Sequence, residues 1–266
     1  MSDLLEFRSR YRDSAVRVPD GTPFLHEDEG KISLHYELCT VQSCMRKDAP
    51  DELVLDYTRA MMGFLLFQPS PEKIVMIGLG GGSLAKYCHR HVPGVDFTAV
   101  ELNPEVIALR DEFRIPRDGP HFRVICADGA DYIRGSCEAV DVLVVDGFDL
   151  RGQPGELCSL GFYDHCFARL RDGGVLVVNL WGGDSKYGTY TSRIREVFEG
   201  RALVINAEDK ANKIVFAYKG ADLPSRSTLS DRMRALEAAH TINLQVTGQK
   251  ILQRLNQCSQ SGRESR

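Results

Sequence analysis

The sequence lacks several patterns that would assign a protein class at once. None of its eight cysteines forms a C-x-x-C pair, which argues against a tetrahedral zinc site. No apolar run is long enough to span a bilayer, and no apolar segment follows a basic start at the first residues. We therefore expect no membrane segment, no signal peptide and no metal, and a cytoplasmic protein with reduced thiols.

The chain also lacks an excess of basic residues. Its 33 Lys and Arg are outnumbered by 37 Asp and Glu, and the net charge of −4 argues against a nucleic-acid-binding protein. Mild acidity is compatible with cationic small molecules without indicating them. The 266 residues, 43% of them hydrophobic, are enough for one large domain or for one domain with a smaller attachment.

The first 50 residues differ from the rest of the chain in their sequence pattern. Turn signals such as Glu29-Gly30 flank short pieces in which apolar and polar residues alternate, as in the strand predicted from Ile32 to Leu38. We expect residues 1–50 to form a small β-rich N-terminal domain of antiparallel hairpins. A helix is predicted from Glu52 to Phe67, because its apolar residues share one helical face.

From Lys73 onward, buried strands alternate with helices, which predicts a parallel sheet covered on both faces. The fold class is therefore α/β, a doubly wound sheet in a domain of residues 51–220. Two strands at its end, 202–206 and 213–218, predict an antiparallel hairpin that closes the sheet edge. Residues 221–266 form a helical extension with helices at 229–239 and 242–255. The remaining strands are predicted at 73–78, 96–101, 122–126, 140–146 and 175–180, and the remaining helices at 83–91, 104–113 and 162–170.

A glycine-rich run lies directly between the first strand and the first helix of this alternation. Gly78, Gly80 and Gly81 allow the backbone to approach a ligand closely. Glu101 ends the next strand about twenty residues later, where an acid can accept hydrogen bonds from both ribose hydroxyls. A tight turn without a ligand and a simple strand-end cap are the alternatives, but the spacing of loop and acid favours a nucleoside site.

Two further strands end in acidic residues. Asp128-Gly129 follows the third strand, where the aspartate either accepts from an adenine amino group or caps the next helix. Asp146 and Asp149 follow the fourth strand, where they either face a cationic partner, which would stabilise paired acids in a crevice, or belong to a capped loop. Because open α/β sheets bind ligands at the carboxyl ends of their strands, we expect these residues to share one site.

Between Gly30 and Tyr218 the chain resembles the polyamine aminopropyltransferases, the spermidine synthase family. The family's glycine loop matches Gly78 to Ser83, and its D-S-S-D-P segment matches Asp146-Gly147-Phe148-Asp149-Leu150. The resemblance implies an AdoMet-methyltransferase-like, Rossmann-like domain behind a small N-terminal β-domain. It assigns the catalytic base to Asp146 and substrate binding to Asp149 and Tyr57. Nucleoside binding falls to Gln42, Gly78, Gly80, Gly81, Glu101, Asp128 and Gly129.

The resemblance implies a reaction and its partners. The amine of putrescine would attack the propyl carbon of decarboxylated S-adenosylmethionine, giving spermidine and methylthioadenosine without a metal. The partner is then a small-molecule amine, with no nucleic acid and no membrane, and the implied assembly is a homodimer. The residues between Leu150 and Leu160, which include Gly152, Pro154 and Gly155, are predicted to form a lid over the substrate.

The sequence departs from the family pattern in ways that keep other functions open. The family's aspartate within the glycine loop is Gly81 here, and Phe148 and Leu150 replace a serine and a proline. Without that aspartate, S-adenosylmethionine itself is an alternative donor, and the chain an AdoMet-dependent methyltransferase on the same scaffold. A catalytically idle nucleoside-binding relative is the third reading, against which Asp146 and Asp149 argue. An NAD oxidoreductase is disfavoured by Ser83, where its fingerprint has glycine, and by the closing hairpin.

Overall fold

The computed structural model describes residues 21–37, 40–135, 138–149, 152–208 and 211–264. Its first part is a three-stranded antiparallel sheet of β1 (Phe24–Asp28), β2 (Lys31–Glu37) and β3 (Thr40–Arg46). Glu29 and Gly30 both have positive φ, 45° and 75°, which suits a tight two-residue hairpin turn between β1 and β2. The predicted antiparallel hairpins are confirmed here, while Leu38 and residues 1–20 lie outside the described residues.

The helix predicted from Glu52 to Phe67 is shorter than expected. Helix α1 covers only Asp56–Met61, and a 3-10 helix continues it over Met62–Leu66. The Arg59 guanidinium donates to the carbonyls of Leu53 and Val54, which binds the preceding segment in a non-helical path. Gly63 packs so tightly that an added Cβ would lie 2.7 Å from Thr247 Cγ2. These tertiary contacts override the helical pattern.

A seven-stranded sheet forms the centre of the rest of the chain, as predicted. Its order is β6-β5-β4-β7-β8-β10-β9, parallel except for β10, which runs antiparallel to both of its neighbours. The closing hairpin is therefore confirmed, with β10 inserted between β8 and the edge strand β9. The strands are β4 (Lys73–Ile77), β5 (Asp96–Glu101), β6 (Phe122–Cys126), β7 (Val140–Val145), β8 (Leu170–Trp181), β9 (Ala202–Asn206) and β10 (Asn212–Lys219).

Helices cover both faces of this sheet, and a separate apolar core lies under each face. The helix predicted from 104 to 113 ends at Ala108, because the chain then turns to place Phe113, fully buried, beneath the glycine loop. The last helix begins at Gln245 rather than Ile242, since the Asn243 side chain accepts from the Gln245 N–H. The helices are α2 (Ser83–His91), α3 (Pro104–Ala108), α4 (Gly129–Arg134), α5 (Leu160–Arg169), α6 (Tyr187–Val197), α7 (Arg226–Ala239) and α8 (Gln245–Glu264).

The two C-terminal helices pack against the same core as α1. Leu229 and Leu236 of α7 and Ile251 of α8 are buried in it. Within the described ranges, no helix has both the length and the apolar character needed to cross a membrane. The boundaries predicted at residues 50 and 220 remain predictions.

Candidate active site

The glycine loop lies where β4, β5 and β7 end side by side. Gly78, Gly80 and Gly82 have φ of 93°, 52° and 65°, values that only glycine adopts readily. At Gly78 the requirement is also steric, because a Cβ would lie 2.3 Å from the backbone oxygen of Asp146. The loop and the acid after β7 are therefore in direct backbone contact.

Glu101, at the end of β5, is bound to this loop. Its Oε2 accepts from the Leu79 N–H at 2.8 Å, and its Oε1 accepts from the Asn103 N–H at 2.9 Å. The phenol of Tyr36, from the N-terminal sheet, lies beside Glu101 and Asn103. Burial and the charge of Glu101 raise the pKa of Tyr36 to about 12, so that Tyr36 stays a hydrogen-bond donor at neutral pH.

Asp128 and Gly129 follow β6 on the same edge. One carboxylate oxygen of Asp128 accepts from the Asp131 N–H at 2.9 Å and caps α4. The capping alternative is thus realised in the structure, and adenine recognition by Asp128 stays a prediction. Gly129 is buried so closely against β4 that a Cβ would lie 2.3 Å from Ile77 Cγ2.

The N-terminal sheet contributes β3 to the site. The backbone oxygen of Gln42 is 3.5 Å from the Tyr57 hydroxyl, and Ser43 Oγ is 3.4 Å from Ser83 Oγ. A Cβ at Gly81 would meet Ser43 Oγ at 2.6 Å and the Phe113 ring at 2.7 Å. In this packing, Ser43 and Phe113 fill the space that an aspartate side chain at position 81 would need.

Asp146 is half-buried beside two hydrogen-bonding side chains. Asn179 Nδ2, on the neighbouring β8, donates to Asp146 Oδ1 at 2.9 Å, and the Tyr57 hydroxyl is a further partner. Burial raises the pKa of Asp146 to about 6, although these two hydrogen bonds lower it in part. An acid with such a pKa can accept a proton near neutral pH and release it afterwards.

Asp149 is exposed and borders a cavity of about 550 Å³. Its backbone exchanges hydrogen bonds of 2.8 and 3.2 Å with Gly152. Gln153 also lines the cavity, and its side chain donates to the Asn179 carbonyl at 2.8 Å. Leu150 of the predicted lid lies outside the described residues, while Gly155–Cys158 form a 3-10 helix; lid motion remains a prediction.

Sequence reasoning missed Asn179 and Tyr36. Asn179 carried a usable signal, since it is the one polar residue in the run from Val175 to Leu180. Tyr36 carried none, because its place beside Glu101 depends on how the N-terminal sheet docks. In the described parts of the chain, no group of three or more His, Cys, Asp and Glu side chains is arranged to hold a metal ion.

The chain is similar in sequence and in fold to known proteins. Residues 54–182 match the family model of the spermine/spermidine synthase domain. A polyamine aminopropyltransferase of Chromobacterium violaceum is 40% identical over 215 residues, which span 80% of this chain and 81% of the relative. The chain belongs to the polyamine aminopropyltransferase family. The sequence-based family assignment is therefore confirmed, and the chain is an enzyme of the spermidine synthase kind.

Solved structures agree with the fold of this chain. A spermidine synthase in complex with the transition state analogue AdoDATO superposes with a TM-score of 0.64 at 19% identity, covering 86% of this chain and 84% of that one. Human methyltransferase-like protein 13 in complex with SAH has the same TM-score at 24% identity, covering 69% and 91%. The predicted methyltransferase-like fold is confirmed.

Proposed function

We propose that the protein transfers an aminopropyl group from decarboxylated S-adenosylmethionine to a di- or polyamine such as putrescine. The observation that carries the proposal is the position of Asp146. This acid, with its pKa raised to about 6, is in backbone contact with the glycine loop. It is also bound to Asn179, whose carbonyl accepts from Gln153 in the wall of the cavity that Asp149 borders. Donor and acceptor sites then meet at one carboxylate.

The donor fits the residues at the strand ends. Gly78, Gly80 and Gly81 present backbone without side chains, and Glu101 is fixed by two backbone N–H groups in a place suited to ribose hydroxyls. Asp128 and Gly129 supply the adenine side, and Gln42 approaches from β3. The related spermidine synthase solved with AdoDATO supports a decarboxylated donor.

Asp146 supplies the proton transfer. An alkylamine has a pKa near 10, and freeing its lone pair at neutral pH costs about 4–5 kcal/mol. As the acceptor nitrogen forms its bond to the propyl carbon, the carbon–sulfur bond breaks and methylthioadenosine leaves with the electron pair. The proton lost by the nitrogen passes to Asp146, whose orientation is set by Asn179 and Tyr57. Asp149 holds the charge of the incoming amine.

A direct test incubates the purified protein with each donor separately, together with a panel of amines, and analyses the products by mass spectrometry. We expect methylthioadenosine and an amine heavier by one aminopropyl unit from decarboxylated S-adenosylmethionine. Adenosylhomocysteine with a methylated product would overturn the proposal in favour of a methyltransferase. Cytoplasmic location and a homodimer remain predictions from the sequence.

A further inference from the structure

A buried lysine lies behind the glycine loop. Lys86, near the start of α2, is 4% exposed. Its Nζ donates to the Phe113 carbonyl at 2.9 Å and lies 5.8 Å from the centre of the Phe113 ring. Among the described residues, this carbonyl is the one hydrogen-bond acceptor of the Lys86 ammonium group. A lysine side chain is costly to remove from water, so its burial here depends on this single contact and on nearby charges.

The segment that Lys86 contacts supports the glycine loop from below. A Cβ on Gly81 would lie 2.7 Å from two carbons of the Phe113 ring, and a Cβ on Gly82 would lie 2.6 Å from Ile115 Cγ1. Phe113 and Ile115 are both buried. The two glycines therefore rest on two buried side chains, and the position of the loop depends on the backbone that carries those side chains.

The residue between these two side chains has a strained backbone. Arg114 has a φ of 52°, in the left-handed region that residues other than glycine adopt only at an energetic cost. Such a conformation persists where neighbouring contacts hold it. The Arg114 guanidinium donates to the Lys47 carbonyl at 2.8 Å, and Lys86 binds the Phe113 carbonyl, which belongs to the peptide unit joining Phe113 to Arg114. Lys86 therefore restrains the peptide unit that enters the strained residue.

The charges that face Lys86 nearly balance each other. Asp51, from the segment before α1, attracts its ammonium group, and Arg114 repels it. Asp51 is shared, because its Oδ2 also accepts from His91 Nε2 at 2.6 Å and lies 3.3 Å from Arg90 Nε. Burial lowers the pKa of Lys86 to about 7. Near neutral pH, Lys86 therefore binds the Phe113 carbonyl either as an ammonium group, with a charge-assisted hydrogen bond, or as a neutral amine, with a weaker one.

We propose that Lys86 is a positioning residue for the nucleoside of the donor, because its ammonium group, through the Phe113 carbonyl, fixes the support beneath Gly81 and Gly82. The ammonium form holds the loop in its binding conformation, and the neutral form holds it less firmly. Nucleoside binding and protonation of Lys86 then strengthen each other by the same factor, since such a coupling is reciprocal. This inference rests on the proposed function and adds to it a residue that acts from behind the binding loop.

The test uses methylthioadenosine as the ligand. Decarboxylated S-adenosylmethionine carries positive charge that would itself repel the Lys86 ammonium group, whereas methylthioadenosine has the same nucleoside without that charge. Calorimetry at pH 7.5, in buffers of different ionisation enthalpy, measures the protons taken up on binding. With a tenfold coupling, the unaltered protein should take up roughly half a proton. Its affinity for methylthioadenosine should fall roughly 5- to 10-fold between pH 6.5 and pH 9.

Two variants assign this effect to Lys86. Lys86→Met keeps the apolar length of the side chain and removes the charge. It should take up no proton, and its affinity at pH 6.5 should already be as low as that of the unaltered protein at pH 9. Lys31→Met, at an exposed lysine of β2, is the matched control and should behave as the unaltered protein does. Urea unfolding shows that each variant is folded.

The outcomes separate this inference from the proposed function. If the unaltered protein binds methylthioadenosine without taking up a proton, a result that needs no variant, the inference fails alone. If Lys86→Met binds more weakly but keeps the proton uptake of the unaltered protein, Lys86 has only a structural role, which also overturns the inference. If the unaltered protein does not bind methylthioadenosine at all, the proposed function fails together with it.

Discussion

Replacing Asp146 by Asn should make the protein more stable at neutral pH. The carboxyl group has an ordinary pKa of 3.8 when the chain is unfolded and a pKa of about 6 when folded, with burial as the main cause. A rise of about two units corresponds to ~3 kcal/mol, and partial exposure of the group screens some of it. We expect Asp146→Asn to raise the free energy of unfolding by about 1–2 kcal/mol at pH 7.5.

The raised pKa of Asp146 also predicts how the free energy of unfolding changes with pH. Between about pH 4 and pH 6 the folded state binds more protons than the unfolded state, so the ionised carboxylate lowers stability as pH rises through this window. Above about pH 6 the loss of stability caused by the ionised carboxylate is constant, and below about pH 4 this loss is absent. Urea unfolding at pH 4 and pH 7.5 measures both limits. Asp149→Asn, an exposed acid three residues away, is the control and should change stability little. An Asp146→Asn protein no more stable than the original at pH 7.5, or equally stabilised at both pH values, would refute the reasoning.

Two other substitutions test the surroundings of the glycine loop. Lys86 is 4% exposed, its Nζ donates to the Phe113 carbonyl, and burial lowers its pKa to about 7. The unfolded state therefore binds more protons above pH 7, so stability should rise from pH 7 to pH 9.5. In the Lys86→Met protein, the free energy of unfolding measured in urea should no longer rise between pH 7 and pH 9.5. The same rise with pH in the variant as in the original protein would contradict this prediction. Glu101→Gln should weaken binding of the decarboxylated donor, measured by calorimetry, roughly 10-fold or more, because a charge-assisted acceptor is lost. The exposed Glu112→Gln is the control and should leave the affinity unchanged. If Glu101→Gln leaves the affinity unchanged as well, Glu101 does not belong to the ribose site.

The local sequence pattern was enough to predict those strands and helices whose bounds depend on neighbouring residues in the chain. The bounds of β5, β6 and α2 agree with prediction, because short runs rich in β-branched and aromatic residues and a glycine-to-helix transition leave few alternatives. The helix predicted from Glu52 to Phe67 was wrong in its length. The backbone there is held by hydrogen bonds from the Arg59 side chain and by close packing at Gly63, and hydrophobic periodicity reveals neither contact.

The candidate site likewise contains residues that could be predicted from the sequence and residues that could not. Glycines and acids at strand ends could be located from sequence, because topology alone brings the carboxyl ends of parallel strands together. The pairing of Asp146 with Asn179 depends on the register between β7 and β8, and the packing of Gly81 depends on docking of the N-terminal sheet. The cavity wall combines a loop after β8 with a 3-10 helix. No local pattern encodes such long-range contacts.

The most direct test of the account separates donor binding from turnover in Asp146→Asn. Single-turnover formation of methylthioadenosine would be measured beside the affinity for decarboxylated S-adenosylmethionine. Loss of a general base predicts a rate lower by roughly 100-fold or more, with donor affinity within a factor of two of the original. A rate close to that of the unaltered protein would contradict the claim that Asp146 takes the proton from the attacking amine.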